Sequence, residues 1–171
     1  TLLSNKTILI TGAGGSIGSE LCRQIITFKP KQLILFELNE FALYSIQEEF
    51  CSKFPDISMA FVIGDVKDES RLAQLFAQYQ PTVIFHAAAY KHVPLMEKEN
   101  TWQALQNNVL GTYVLAKLAI KYHITKFVLI STDKAVNPTN VMGASKRLAE
   151  MVCQALQQSI LPQENMQANT I

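Results

Sequence analysis

The residues best suited to chemistry lie in short clusters, and the first is Thr11-Gly12-Ala13-Gly14-Gly15-Ser16-Ile17-Gly18. Glycines at 12, 15 and 18 permit a tight turn whose backbone N–H groups approach a pyrophosphate, with the positive end of a following helix facing the anionic oxygens. Three glycines alone also suit an ordinary helix-initiating turn. The apolar run before them and the helical spacing after them favour the phosphate reading. Glu37 closes the next apolar run, at about the 20-residue offset where a carboxylate accepts hydrogen bonds from ribose 2′- and 3′-hydroxyls and repels a 2′-phosphate. That selects NAD over NADP, unless Glu37 is only a solvated loop residue beside Asn39 and Glu40. Asp65, followed by Val66, sits where a third run ends; its carboxylate suits an adenine amino group, or equally the cap of the helix after Asp68.

A second group lies further along. In His86-Ala87-Ala88-Ala89-Tyr90-Lys91-His92-Val93-Pro94, Ala87, Ala88 and Ala89 let a flat cofactor lie against the backbone, and Lys91 and His92 follow on the substrate side. Three alanines also suit helix packing, and a histidine is more often a structural hydrogen-bonding residue. Ser131-Thr132-Asp133-Lys134 and Met142-Gly143-Ala144-Ser145-Lys146 bring a hydroxyl, a carboxylate and an ammonium together, which supply an anchor, an acid and a base. Without context, a capped turn with an Asp–Lys surface pair accounts for the same residues. Met142 and Lys146 are four apart and share a helix face.

Positioning these groups requires alternating strands and helices. Thr7-Thr11, Gln32-Phe36, Met59-Ile63, Thr82-Phe85 and Phe127-Ile130 are nearly continuous apolar runs, the pattern of strands buried on both faces. Between them, Ile17, Leu21, Ile25 and Phe28, then Phe41, Tyr44, Phe50 and Phe54, then Leu72, Leu75, Phe76 and Tyr79 recur at or near helical spacing, predicting three covering helices. A fourth helix is predicted from Thr101 to Tyr122, with Trp102, Leu105, Val109, Tyr113 and Ala116 on its buried face, and a fifth from Met142 to Gln158. Strand-helix alternation demands right-handed crossovers, so the fold predicted is a doubly wound α/β domain with a parallel sheet in order 3-2-1-4-5, over residues 1–171. In such a sheet ligands collect beyond the carboxyl ends of the strands, where every cluster above falls. The fifth strand is expected to be an open edge able to pair with another chain, and a further strand to begin at Thr170-Ile171.

Composition agrees. The 171 residues are 49% apolar and 17% charged, which argues against disorder. A formal charge of +1 gives no electrostatic case for nucleic acid. The longest uncharged stretch, Leu72 to Tyr90, is broken by Gln74, Gln78, Gln80, Pro81 and His86, so no bilayer span is expected. Cys22, Cys51 and Cys153 are odd in number and lack any CxxC spacing, which argues against a disulfide scaffold or a zinc site and suits a cytoplasmic setting. A start at Thr1 suggests an excised piece of a longer chain.

Together these segments, with Asn107-Asn108-Val109-Leu110-Gly111-Thr112 and Ala135-Val136-Asn137-Pro138-Thr139-Asn140, resemble the extended short-chain dehydrogenase/reductase superfamily. Within it they resemble the polysaccharide-biosynthesis branch that contains UDP-N-acetylglucosamine 4,6-dehydratases. Most superfamily members carry Tyr where this chain has Met142, and a thioether has no proton to exchange; part of the dehydratase branch carries Met there. The resemblance implies an NAD-dependent nucleotide-sugar dehydratase acting on a UDP-sugar. It gives Thr132 the C4 oxygen, Asp133 the role of acid toward the C6 hydroxyl and Lys134 that of base at C5. Lys146 is implied to bind the nicotinamide ribose, Asn108 to support the strand-four and strand-five backbone and to stand with Lys91 and His92 among the substrate-binding residues, and the parent to self-associate; larger members of the branch carry N-terminal membrane helices. The glycine turn and Glu37 serve a related epimerase or reductase, or a non-catalytic NAD-binding module, equally well.

Overall fold

The computed structural model describes residues 2–160, so the expected strand at Thr170-Ile171 lies outside the described residues. Five parallel strands form one sheet in the order β3-β2-β1-β4-β5: β1 Thr7–Thr11, β2 Gln32–Glu37, β3 Met59–Ile63, β4 Val83–His86 and β5 Lys126–Leu129. β4 runs one residue past its predicted end and β5 begins one residue early. The sheet is buried on both faces because adjacent residues of each central strand enter opposite cores. Ile8, Ile10, Leu33 and Leu35 join Cys22, Ile25, Leu43, Ile46 and Phe50 on one side. Leu9, Ile34 and Phe36 join Leu72, Phe76, Leu115 and Leu118 on the other. The first core is closed by α1 (Ser16–Ile26) and α2 (Glu40–Lys53), the second by α3 (Glu69–Tyr79) and α6 (Gly111–Lys121).

Side-chain direction corrects the predicted helix faces. On α1 the buried set is Gly18, Cys22, Ile25 and Ile26, while Ile17 and Phe28 face outward. On α2, Leu43, Ile46 and Phe50 are buried, and Phe41 is 78% exposed with Tyr44 at 56%. Only α3 follows the expected stripe, with Leu72, Leu75 and Phe76 inward. Of the expected stripes, Ile25 on α1 and Phe50 on α2 are buried, and Leu21 and Phe54 are partly buried against the same core.

The predicted single helix from Thr101 to Tyr122 has three parts: α5 (Thr101–Ala104), a π-helix (Leu105–Leu110) and α6. The wider π turn changes the angular phase of the chain. Ala104, Asn107, Asn108, Gly111, Thr112 and Leu115 therefore face inward, while Trp102 is 64% and Tyr113 41% exposed. A short α4 (Val93–Met96) precedes it, and α7 (Val141–Ile160) follows a 3₁₀ turn at Asp133–Ala135. Met96, Ala104 and Met142 form a third, small core that seats α7 on α4 and α5. β5 pairs only with β4, leaving the other edge open among the described residues. No described helix is long and apolar enough to cross a membrane.

Backbone packing beyond β1 sets the glycine turn. Gly12 has φ +66, and a Cβ there would meet the Ala88 Cα at 2.7 Å. A Cβ on Gly18 would overlap the Gly12 carbonyl oxygen, so helix and turn touch only because both residues are glycine. Gly15 has room: its nearest neighbour would be the Gly12 oxygen at 3.3 Å. Two outcomes follow for denaturant unfolding. Phe76→Ala, which empties a fully buried site, is expected to cost about 3–5 kcal/mol, while Phe41→Ala stays within about 0.5 kcal/mol. Gly18→Ala is expected to destabilise by roughly 1–3 kcal/mol and Gly15→Ala by clearly less; equal losses would contradict the packing.

Candidate active site

The turn after β1 has the backbone of an anion cradle. The N–H of Gly15 donates to the Gly12 carbonyl at 3.1 Å and that of Ser19 to Gly15 at 2.8 Å, leaving the first N–H groups of α1 without helical partners. Asn39 caps α2 by accepting from the Ala42 N–H, and Asp68 caps α3 from the Arg71 N–H. α1 has neither a side-chain cap nor an acidic residue in its first turn. Its amides and dipole are open to an anionic ligand.

Glu37, at the end of β2, reaches across this turn. Its carboxylate accepts from the Gly14 N–H at 3.0 Å through Oε2 and from the Asn39 N–H at 2.9 Å through Oε1. Both bonds fix its direction, and a carboxylate retains lone pairs for further donors. Gly12, Gly14, Gly15 and Glu37 line a cavity of about 280 Å³ together with Asp65, Val66, Ala87, Ala88 and Ala89. Residues from the ends of β1, β2, β3 and β4 thus converge. Asp65 does not cap the helix after Asp68; it accepts from the Lys67 N–H and pairs with the Lys67 ammonium at 2.7 Å. Ser16 is exposed at the head of α1 and Gly18 is buried behind the turn.

Asn107 also lines this cavity, and sequence reading passed over it. It is 6% exposed, and its Nδ2 donates to Asn108 Oδ1 at 3.2 Å. A buried amide inside an apolar helix pattern was the available signal, but only the π turn rotates Asn107 and Asn108 inward together.

A second cavity, of about 350 Å³, lies beyond β4 and β5 and is lined by Ile17, Ala87, Ala89, Tyr90, Lys91, Ser131, Thr132, Lys134, Met142 and Lys146 among others. The structure therefore gathers the two expected clusters, β4–β5 ends and the head of α7, around one space. Lys146 is 5% exposed and donates to the Ile130 carbonyl at 2.6 Å. Burial lowers the pKa of its ammonium, with Glu150 opposing. Thr132 accepts from the Lys134 N–H and donates to Asp133 Oδ1 at 2.9 Å. Its hydroxyl and then the Lys134 charge hold the Asp133 carboxyl below its usual range. Asp133, with a side chain 86% exposed, is not among the lining residues and is ionised at neutral pH. Met142 is 4% exposed and packs with Met96 and Ala104, and it also contributes to the cavity wall.

Three residues expected on the substrate side separate here. Lys91 lines both the second cavity and a neighbouring one that it shares with His92, Leu95, Met96, Asn100 and Gln103, whereas His92 lines the neighbouring one alone. Asn108 does not face a ligand. It is 1% exposed; its Oδ1 accepts from the Tyr90 and Asn107 donors, and its Nδ2 donates to the Tyr90 carbonyl and to Ser145 Oγ. All four hydrogen-bonding positions of the amide are used. It supports the backbone at Tyr90, beyond β4, but makes no bond to β5, and its amide has no position left for the expected substrate contact.

Known proteins match this chain over nearly all its length. The family described as "Polysaccharide biosynthesis protein" matches residues 8–169. The capsular polysaccharide biosynthesis protein CapD of Staphylococcus aureus is 52% identical over 155 residues, covering 90% of this chain and 26% of CapD. A UDP-N-acetylglucosamine 4,6-dehydratase (inverting) of Campylobacter jejuni is 34% identical over 146 residues, covering 85% of this chain and 42% of the enzyme. A UDP-glucose 4-epimerase of Rickettsia rickettsii matches at 35% with the same coverage. Among solved structures, Pen from Bacillus thuringiensis superposes with a TM-score of 0.85 at 31% identity, over 93% of this chain and 47% of that one. dTDP-glucose 4,6-dehydratase from Bacillus anthracis in complex with NAD shares the fold, with a TM-score of 0.75 at 22% identity over 91% of this chain and 51% of that one. The chain spans about a quarter of CapD and under half of the other two relatives. With the strand order, the glycine turn and the paired cavities in place, the chain belongs to the polysaccharide biosynthesis family of short-chain dehydrogenase/reductase proteins.

Proposed function

We propose that this chain is the NAD-binding part of a nucleotide-sugar 4,6-dehydratase acting on a UDP-N-acetylhexosamine. The single observation that carries the reading is the convergence of the uncapped glycine turn, Glu37 and the Thr132–Lys146 cavity along one edge of the sheet. The residues present fit a dinucleotide. Gly12 and Gly18 leave room that a Cβ would fill, the first-turn amides of α1 are open to the diphosphate, and Glu37 is pinned where ribose hydroxyls donate. When bound, NAD supplies the acceptor for the C4 hydride and the donor that returns it to C6 after water has left.

The side chains supply binding and proton transfer. Thr132 orients the C4 oxygen through its hydroxyl. Lys134 takes the C5 proton once the C4 ketone has made it acidic, a step that requires its amine in the neutral form. Asp133 gives a proton to the departing C6 hydroxyl. Ionised and exposed in this structure, it can hold that proton only when the sugar covers it and removes its water, which raises a carboxyl pKa. Lys146, directed by the Ile130 carbonyl, offers its remaining ammonium hydrogens to the nicotinamide ribose. Met142 contributes no proton, so the C4 hydroxyl proton passes to a water or a group outside its thioether.

A 4-epimerase is the second reading, supported by the Rickettsia match, since it uses the same cradle. Turnover of UDP-N-acetylglucosamine by the full-length protein, followed by NMR, separates the two. Formation of a 4-keto-6-deoxy sugar without NADH accumulation is expected; a C4 epimer with C6 unchanged would contradict the dehydratase reading. In the same protein Lys134→Ala is expected to lower kcat by about 10²–10⁴-fold and to stop deuterium exchange at C5. Continued exchange would assign the base elsewhere. Glu37→Ala is expected to narrow the preference for NAD over NADP by about tenfold in calorimetry, and an unchanged ratio would remove Glu37 from ribose recognition.

A further inference from the structure

Eight polar or charged residues are buried among those described: Thr7, Thr11, His86, Asn107, Asn108, Thr112, Ser145 and Lys146. Six of them form one hydrogen-bonded chain. Its centre is His86, the last residue of β4, 1% exposed. His86 Nδ1 lies 2.6 Å from Thr11 Oγ1, and Nε2 lies 3.0 Å from Thr112 Oγ1. The Thr112 hydroxyl donates to the Asn108 carbonyl at 2.7 Å.

Proton counting fixes the direction of every bond. Thr112 has one hydroxyl hydrogen, committed to the Asn108 carbonyl, so its oxygen accepts from His86 and Nε2 carries the ring proton. Nδ1 is then a bare acceptor, and the Thr11 hydroxyl donates to it. Burial pushes the pKa of His86 down to about 3, with the Lys146 charge adding to the effect, so the ring is neutral throughout the working range. It lines neither cavity.

Each end of this chain meets a part of the candidate site. Thr11 precedes Gly12, and its carbonyl accepts from the Ala87 N–H at 3.1 Å. His86 precedes the Ala87–Ala89 run whose backbone lies against Gly12. Asn108 grips Tyr90 by both its N–H and its carbonyl, and reaches Ser145, the residue before Lys146, at 3.0 Å. A mispaired member would leave a buried donor or acceptor unsatisfied, so the parts keep one relative placement.

We infer that His86, held as the neutral Nε2–H tautomer between Thr11 and Thr112, is the positioning residue that keeps the glycine turn, the alanine run and the π-helix in register for the dinucleotide, with Asn108 extending that register to Tyr90 and Ser145. The inference deepens the proposed NAD reading and rests on it. Thr112→Val keeps the side-chain volume and removes the acceptor for Nε2–H; Thr112→Ser retains it. NAD affinity of this chain is measured by calorimetry and the His86 tautomer by ring ¹⁵N shifts at pH 7. The Ser variant is expected to bind NAD within about twofold of the parent with the Nε2–H form intact. The Val variant is expected to bind at least about tenfold more weakly, with the ring moved toward Nδ1–H. Parental affinity or an unmoved tautomer in the Val variant would overturn the inference while leaving the cofactor reading in place. Absence of NAD binding by the parent chain would overturn both. Thr11→Val, which removes the donor to Nδ1, is the second variant; if both Val variants fail to fold while their Ser counterparts fold and bind, the network serves stability alone and the inference falls.

Discussion

The ends of β1 and β4 are held so close that backbone meets backbone between Gly12 and Ala88, and the site depends on this approach. Two apolar cores press the sheet from either side, but apolar burial is non-directional and sets no register between loops. Register at the carboxyl edge comes from polar groups. Thr11 and His86 bridge the two strands inside the protein, and Thr112 ties both to the π-helix. A buried polar network of this kind is tolerable only because its members are satisfied; no described buried side-chain N or O lacks a partner.

Above that edge the electrostatics divide into two halves. Toward β2 and β3, open helix amides face the pinned carboxylate of Glu37, an arrangement suited to a diphosphate with a diol beyond it. Toward β5, Lys91, Lys134 and Lys146 line one cavity while Asp133 stands outside it in water. Burial favours the neutral form of Lys146 there, with Glu150 opposing. The acid role proposed for Asp133 is conditional on a sugar that covers it.

Much of this was legible in the sequence, for identifiable reasons. Continuous β-branched and leucine-rich runs revealed the strands and their order, because a strand buried on both faces tolerates little else. The glycine turn was legible because close backbone approach restricts residue type at fixed offsets, and Glu37 because a carboxylate ends the strand beside that turn. Helix faces were not: Phe41, Tyr44, Trp102 and Tyr113 are large enough to read as core, yet all point outward. The π turn was hidden as well, since one change of phase inside an apolar segment leaves its composition unaltered. Asn108 therefore read as a ligand-facing polar residue when its amide is fully spent on the backbone of Tyr90, on Asn107 and on Ser145.

Backbone amide NMR during titration with NAD tests the central claim most directly. The account predicts saturable shifts at Gly14, Ser16, Ile17 and Gly18, at Ala87 to Ala89, and at Thr132 and Lys146, because one dinucleotide spans both cavities. Binding that leaves the glycine-turn amides unmoved, or that moves them without any response at Thr132 and Lys146, would contradict it.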